Sequence, residues 1–137
     1  MRQYSEWETM KRVWDVEEIK DLMSRRAVYS ANEERERELK ELWVNQPDHM
    51  ATASFGRNYG YYVGMDAIRS YYVDSHQTRI DALPGTGYME CHTVTSPYVE
   101  LAGDGNSARG LWYSIGQETY PGPDGAPRAL WVNDKVA

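Results

Sequence analysis

The sequence predicts an α+β domain, with N-terminal helices packed on a mostly antiparallel sheet. Two patterns and the chain length point there. Within the first 45 residues, Val16, Ile19, Leu22, Met23 and Ala27 recur at three- and four-residue steps and form one helical stripe. After Pro47 the texture changes to short Thr- and aromatic-bearing runs bounded by Gly, Pro, Asn and Asp, which is strand-and-turn chemistry. The 137 residues make one domain, 1–137, long enough to hide roughly two thirds of the unfolded surface.

In order, the first helix carries the apolar stripe. The run Glu33 to Glu41 is almost wholly charged apart from Leu39, and its alternating signs read as a solvated helix face with Leu39, Leu42 and Trp43 inside. Ser30 followed by Glu33 suits a capping box, with Asn32 as a rival N-cap, so two helices parted near residues 30–32 are expected. His49 to Phe55 and Tyr59 to Val63 read as strands around Gly56-Arg57-Asn58. Gly64 admits a third helix from Met65 to about Asp74, with Ala67, Ile68, Tyr71 and Tyr72 inward. Residues 82–87 read as a loop. Tyr98–Leu101, Ser107–Tyr120 and Ala129–Ala137 are strands, joined by the Gly103-Asp104-Gly105-Asn106 and Pro121–Gly125 turns.

Composition excludes several classes. A net charge of −6 without a Lys/Arg cluster argues against a nucleic-acid surface. No uncharged apolar stretch is long enough to span a bilayer, and the charged first residues offer no signal-peptide core, so no membrane partner and a cytoplasmic location are expected. A single Cys91 rules out an intramolecular disulfide and a Cys-based zinc cluster. Phosphate loops, zinc-protease helices, nucleophile elbows and calcium loops are missing, and the three His residues are far apart, so neither metal nor cofactor is expected.

Two features break the pattern. Arg26 and Ser30 fall within the apolar arc of the first helix. An Arg there snorkels to water, pairs with an acid, or faces a polar cavity, since an unpaired buried charge is costly. Tyr29, at the stripe's edge, could point either way. His92, near a strand start, is either a satisfied core histidine or a proton-transfer group. The strand Ser107–Tyr120 is apolar on both faces in its first half and needs a cover on each: helices on one side, a second subunit on the other.

Helix–helix, strand pair, Gly-opened helix and long sheet together resemble the nuclear transport factor 2-like superfamily, and within it the SnoaL-like proteins. The resemblance is carried by Val16–Tyr29, by Ser54–Tyr72, and by His92…Pro97-x-Val99-x-Leu101…Gly103-Asp104, and covers roughly residues 13–137. It implies a cone-shaped α+β barrel around a hydrophobic pocket for a small, oxygenated molecule, and a homodimer through the sheet's outer face. It also implies cofactor-free proton transfer of the lyase, isomerase or cyclase kind, as in ketosteroid isomerases and scytalone or bile-acid dehydratases.

Carried over by position, His92 matches the pocket histidine of the dehydratase branch. That branch's first-helix Tyr falls at Arg26, or at Tyr29 if the helix slips, while its helical Asp falls near Ala31 and its strand Asp at Gly116. His92, Arg26 and Tyr29 are therefore the catalytic candidates: acid–base group, oxyanion donor and hydrogen-bond donor. Ser30, Trp112, Ser114 and Tyr61 are the substrate-contacting candidates. Aligned parity turns Trp112, Ser114 and Gly116 toward the pocket and Leu111, Tyr113 and Ile115 toward a partner. Family members continue through further strand, so truncation or completion by a partner chain is expected at Ala137. The alternatives from other classes are a non-catalytic ligand-binding or dimerisation module and a protein-transport adaptor.

Overall fold

The computed structural model describes residues 3–57, 60–83 and 87–136. Helix α1 spans Glu6–Ala31 and starts at a capping box: Ser5 Oγ accepts from Glu8 N at 3.2 Å and Glu8 Oε2 accepts from Ser5 N at 2.8 Å. The box expected at Ser30/Glu33 does not form. Instead, Glu33 N–H donates to Ser30 O at 3.2 Å and Glu34 N–H to Tyr29 O at 2.8 Å, with Glu33 at φ 58°. That is a Schellman stop built on a glutamate in the left-handed region. It parts the helices where expected, by a different device.

Helix α2 (Arg35–Leu42) corrects the reading of the charged run. Glu38 is wholly buried and Arg35 only 7% exposed, so the helix turns two charges inward beside Leu39. The stretch from His49 is also corrected: Pro47–Met50 is a short helix, α3, because Pro at its first position is preset for helix, and strand β1 is only Ser54–Arg57. It pairs antiparallel with β2 (Gly60–Val63); Asn58 and Tyr59 of the connecting turn lie outside the described residues.

Gly64, at φ 85°, opens a run longer than expected: α4 (Met65–Arg69), a π-helical turn (Ser70–Ser75) and α5 (His76–Asp81). Ile68 and Tyr72 from this run meet Leu39 of α2 as the buried core, with Trp43, Phe55, Tyr62 and Tyr71 packed around them. Of the loop expected at 82–87, residues 84–86 lie outside the described residues.

Strands β3 (Met89–Leu101), β4 (Ala108–Pro121) and β5 (Pro127–Val136) form an antiparallel meander, with β3 starting nine residues earlier than expected; Ala137 lies outside the described residues. A bulge between Thr95 and Tyr98 accommodates Pro97, which has no N–H for the ladder. Helix α1 packs against β3, and Arg12 anchors its start by donating to Ala102 O at 3.1 Å and Leu101 O at 3.2 Å. The architecture is thus α+β with N-terminal helices and antiparallel sheets. The described strands form one two-stranded and one three-stranded sheet, with no closed barrel among them.

Candidate functional site

Strand alternation decides what lines the buried side of the large sheet. Trp112, Ser114 and Gly116 of β4 are buried, and Tyr113 and Ile115 between them are exposed. Cross-strand neighbours share a face, so the pairs Glu90↔Glu118, His92↔Gly116 and Val94↔Ser114 put Glu90 and His92 on the same inner side.

His92 Nε2 lies 2.8 Å from Glu118 Oε1, and Tyr120 donates to the other oxygen of Glu118 at 3.0 Å. A carboxylate accepts, so Nε2 carries a proton and donates it to Glu118. Burial first, then the bond to Glu118, pushes the Tyr120 hydroxyl up to about 12. Tyr88 donates to Glu90 Oε2 at 2.6 Å, and its ring meets that of Tyr120 edge-on at 5.4 Å. Burial works against the Glu90 carboxylate, but Tyr88 and Arg35 outweigh it and hold Glu90 below the usual carboxylate range.

Arg35 crosses from α2 to reach this layer. Its Nη2 donates to Glu90 Oε1 at 2.8 Å and its guanidinium lies 4.9 Å over the Tyr72 ring. Its Nε is buried without a hydrogen-bond partner; Glu33 Oε2, at 3.5 Å, does not provide one. His76 Nδ1 is 2.9 Å from Arg79 Nη2, which can only donate. Nδ1 therefore accepts, and Nε2–H donates to Glu33 Oε2 at 2.6 Å. His76 is thus the neutral Nε2–H tautomer, in keeping with a pKa held low by burial and then by Arg35.

A second buried acid lies beneath. Glu38 accepts from Tyr72 at 2.8 Å on both oxygens and from Trp43 Nε1 at 3.4 Å, and Arg26 Nε stands 3.3 Å away. Burial first pushes the Tyr72 hydroxyl up to about 12.

Arg26 and His92, the two candidates expected to converge, thus hold different carboxylates, Glu38 and Glu118. A chain of contacts through Tyr72, Arg35 and Glu90 joins the two pairs. Tyr29 gives its hydroxyl to Glu41 at 2.7 Å, under the guanidinium of Arg37. Ser30 is buried at the Schellman stop. Trp112 and Ser114 are buried on the inner sheet face, as parity required. Tyr61 is 79% exposed and lies across Gly56 of the small hairpin, where a Cβ would come within 2.9 Å of its ring.

A cleft of about 250 Å³ opens where α2, the hairpin and α5 meet β3. Phe55, Tyr71 and Tyr72 wall it, and Arg35, Arg57, Ser75, His76, Arg79 and Glu90 supply its polar groups. A wider groove of about 650 Å³, where Arg12 meets the end of β3, contains no histidine. Two donor sets, Glu33/His76/Glu90 and Glu90/His92/Glu118, bring their ligand atoms within 4.8 Å of one another. They fit a divalent cation by donor type, but Arg35 already holds the Glu90 they share.

Sequence reasoning missed Arg35, Glu38, His76 and Glu90. One signal was available: residues 35, 38, 39 and 42 are an i, i+3, i+4, i+7 set, so the face carrying Leu39 and Leu42 must carry Arg35 and Glu38 too.

Fold and site together define an α+β domain whose inner sheet face carries paired His and Glu groups beside an aromatic cleft. The model of the SnoaL-like domain family matches residues 11–136, and the chain belongs to that family, part of the nuclear transport factor 2-like superfamily. No curated protein and no solved structure matches the chain.

Proposed function

We propose that the protein binds a small oxygenated molecule over the inner sheet face and catalyses a cofactor-free proton transfer there. The observation that carries this reading is the His92–Glu118 pair, 2.8 Å apart, which turns Nε2 to the acid; Nδ1 is the nitrogen this reading assigns to the substrate. The strand carboxylate expected by resemblance falls at Gly116, but Glu118 is the next residue on the same face and supplies an acid to the same histidine. His92 Nδ1 takes a proton from the carbon beside a carbonyl, and the electron pair passes to the carbonyl oxygen. Glu118 steadies the imidazolium, which returns its proton to a departing hydroxyl (elimination) or to another carbon (isomerisation). Trp112 and Ser114 form the floor. Arg26 acts from behind by fixing Glu38 and, through it, Tyr72. In this reading the helices and curved sheet form a cone, and two copies meet through the outer face.

The test is hydrogen–deuterium exchange at the α-carbon of a panel of β-hydroxy and β-keto carbonyl compounds, followed by proton NMR in deuterated water. His92→Gln should lower exchange by about a hundredfold or more. Glu118→Gln, which loosens the ring's orientation, should lower it about tenfold to a hundredfold. Wild-type exchange in His92→Gln removes the proton-transfer reading. The second reading, a non-catalytic binding or dimerisation module, then stands; the exposed apolar residues Tyr113, Ile115 and Trp131 favour it.

A further inference from the structure

Two carboxylates stand near His92 Nε2, and only one receives its proton: Glu118 Oε1 is at 2.8 Å and Glu90 Oε1 at 3.9 Å. The difference lies in what holds each acid from behind. Glu90 takes Arg35 Nη2 on Oε1 and the Tyr88 hydroxyl on Oε2, so its oxygens are committed to α2 and to Tyr88. Glu118 divides its oxygens differently. Oε1 accepts from His92, and Oε2 accepts from Tyr120 at 3.0 Å.

Strand register does not supply that aim by itself. It pairs His92 with Gly116 and Glu90 with Glu118, so Glu118 reaches His92 diagonally, past a glycine that has no side chain to fill the space. A long, flexible side chain keeps one such geometry only when a neighbour locks its rotamer. Tyr120 suits that role. It is the next residue on the same face of β4, and its half-buried ring sits edge-on against Tyr88 at 5.4 Å. With its hydroxyl pushed up to about 12, it remains a donor wherever an imidazole changes charge.

We propose that Tyr120 is a positioning residue: by holding Oε2 of Glu118 it turns Oε1 to His92 and fixes the imidazole as its Nε2–H tautomer. The proposal rests on the reading of His92 as the proton-transfer group and adds the residue that orients it. The test uses the full chain with isotopically labelled histidine. Long-range proton–nitrogen NMR at mildly alkaline pH, where an ordinary imidazole is neutral, tells a protonated ring nitrogen from a bare one. His92 should show Nε2 protonated and Nδ1 bare. Tyr120→Phe keeps the ring and removes only the hydroxyl, so the two nitrogen shifts should move toward each other as the tautomers mix. Tyr88→Phe, which takes a donor from Glu90, should leave them in place because Arg35 still holds that acid. In the carbon–hydrogen exchange assay, Tyr120→Phe should lower the maximal rate about threefold to tenfold, as for one net hydrogen bond, at an unchanged half-saturating concentration. Unmoved His92 nitrogens in Tyr120→Phe, an equal shift in Tyr88→Phe, or a wild-type ring protonated on both nitrogens overturns the proposal. The two readings fail separately. A wild type that exchanges no carbon-bound proton removes the proton-transfer reading, while the nitrogen shifts still decide Tyr120; slower exchange with the nitrogens unmoved removes Tyr120 alone.

Discussion

Tyr72 donates its hydroxyl across both carboxylate oxygens of Glu38, each at 2.8 Å, and Glu38 has no exposed surface at all. A buried acid is tolerated only when its lone pairs are used and its charge is balanced, and Arg26 and Trp43 complete that set. Removing the acid strands Arg26, which is itself only partly exposed. Glu38→Ala is expected to cost about 3–5 kcal/mol and Glu38→Gln less, since Gln still accepts from Tyr72. Urea denaturation with the exposed Glu36→Gln as control measures this; equal midpoints for Glu38→Ala and the control would contradict it.

The same contact has a signature at high pH. Tyr72 titrates near 12 in the fold against 10.0 for a solvated tyrosine, burial being the main cause. A raised pKa means the unfolded chain loses its proton first. Stability from Tyr72 is therefore whole below pH 10 and is lost as pH rises from 10 toward 12. Tyr120, also near 12, and Tyr88, raised by burial and then by Glu90, add to the same limb. Tyr72→Phe should flatten the alkaline fall in unfolding free energy by about one proton's slope. An unchanged slope in that variant would count against a buried, neutral Tyr72.

His76 acts at the acid end. Burial first, and Arg35 next, lower its pKa from 6.5, so the unfolded state binds a proton before the folded one does. Its contribution is present above pH 6.5 and is lost as pH falls below that toward the folded value. Glu90, also lowered, begins to act only below 4.5, so the two effects separate. His76→Asn should remove the fall in stability that sets in below pH 6.5 while leaving the carboxylate limb at lower pH. An NMR titration placing His76 at or above 6.5 would refute the neutral tautomer inferred from Arg79 and Glu33.

What the sequence disclosed followed from local signals and from the family resemblance. The break between the first helices, the Gly64-opened helix and the two late turns rest on cap and turn residues visible in one chain, while the inward parity of Trp112, Ser114 and Gly116 is alternation along β4 oriented by the resemblance. What stayed hidden depended on contacts made far along the chain. Arg35 and Glu38 look solvated because charge normally is, and only Glu90, Tyr72 and Arg26, brought in by β3, the π-helical turn and α1, make their burial tolerable. His92 is readable as a candidate, but its pairing with Glu118 needs the β3–β4 register. Arg26 stands out in the sequence as an anomaly in its stripe. Its acid lies in the very run whose charges read as solvated.

The outer face of the sheet yields the last prediction. Tyr98 on β3, Tyr113 and Ile115 on β4 and Trp131 on β5 point away from the inner face by alternation, and all four are exposed, Trp131 at 76%. The opposite side of the sheet holds Trp112 and Ser114 in the interior, so a shift of β4 by one residue would turn Tyr113 and Ile115 inward and expose Trp112 and Ser114. Scattered exposed apolar residues need no explanation, but a group of rings across three adjacent strands is the composition of an interface core. If two copies meet here, a stable contact needs about 1,200–2,000 Å² of total buried surface. Light scattering should then give twice the chain mass for the wild type and a single chain's mass for Ile115→Lys, with circular dichroism unchanged because Ile115 lies on the exposed face, outside the buried core. A wild-type monomer at micromolar concentration, or a dimer indifferent to Ile115→Lys, would remove this face from consideration.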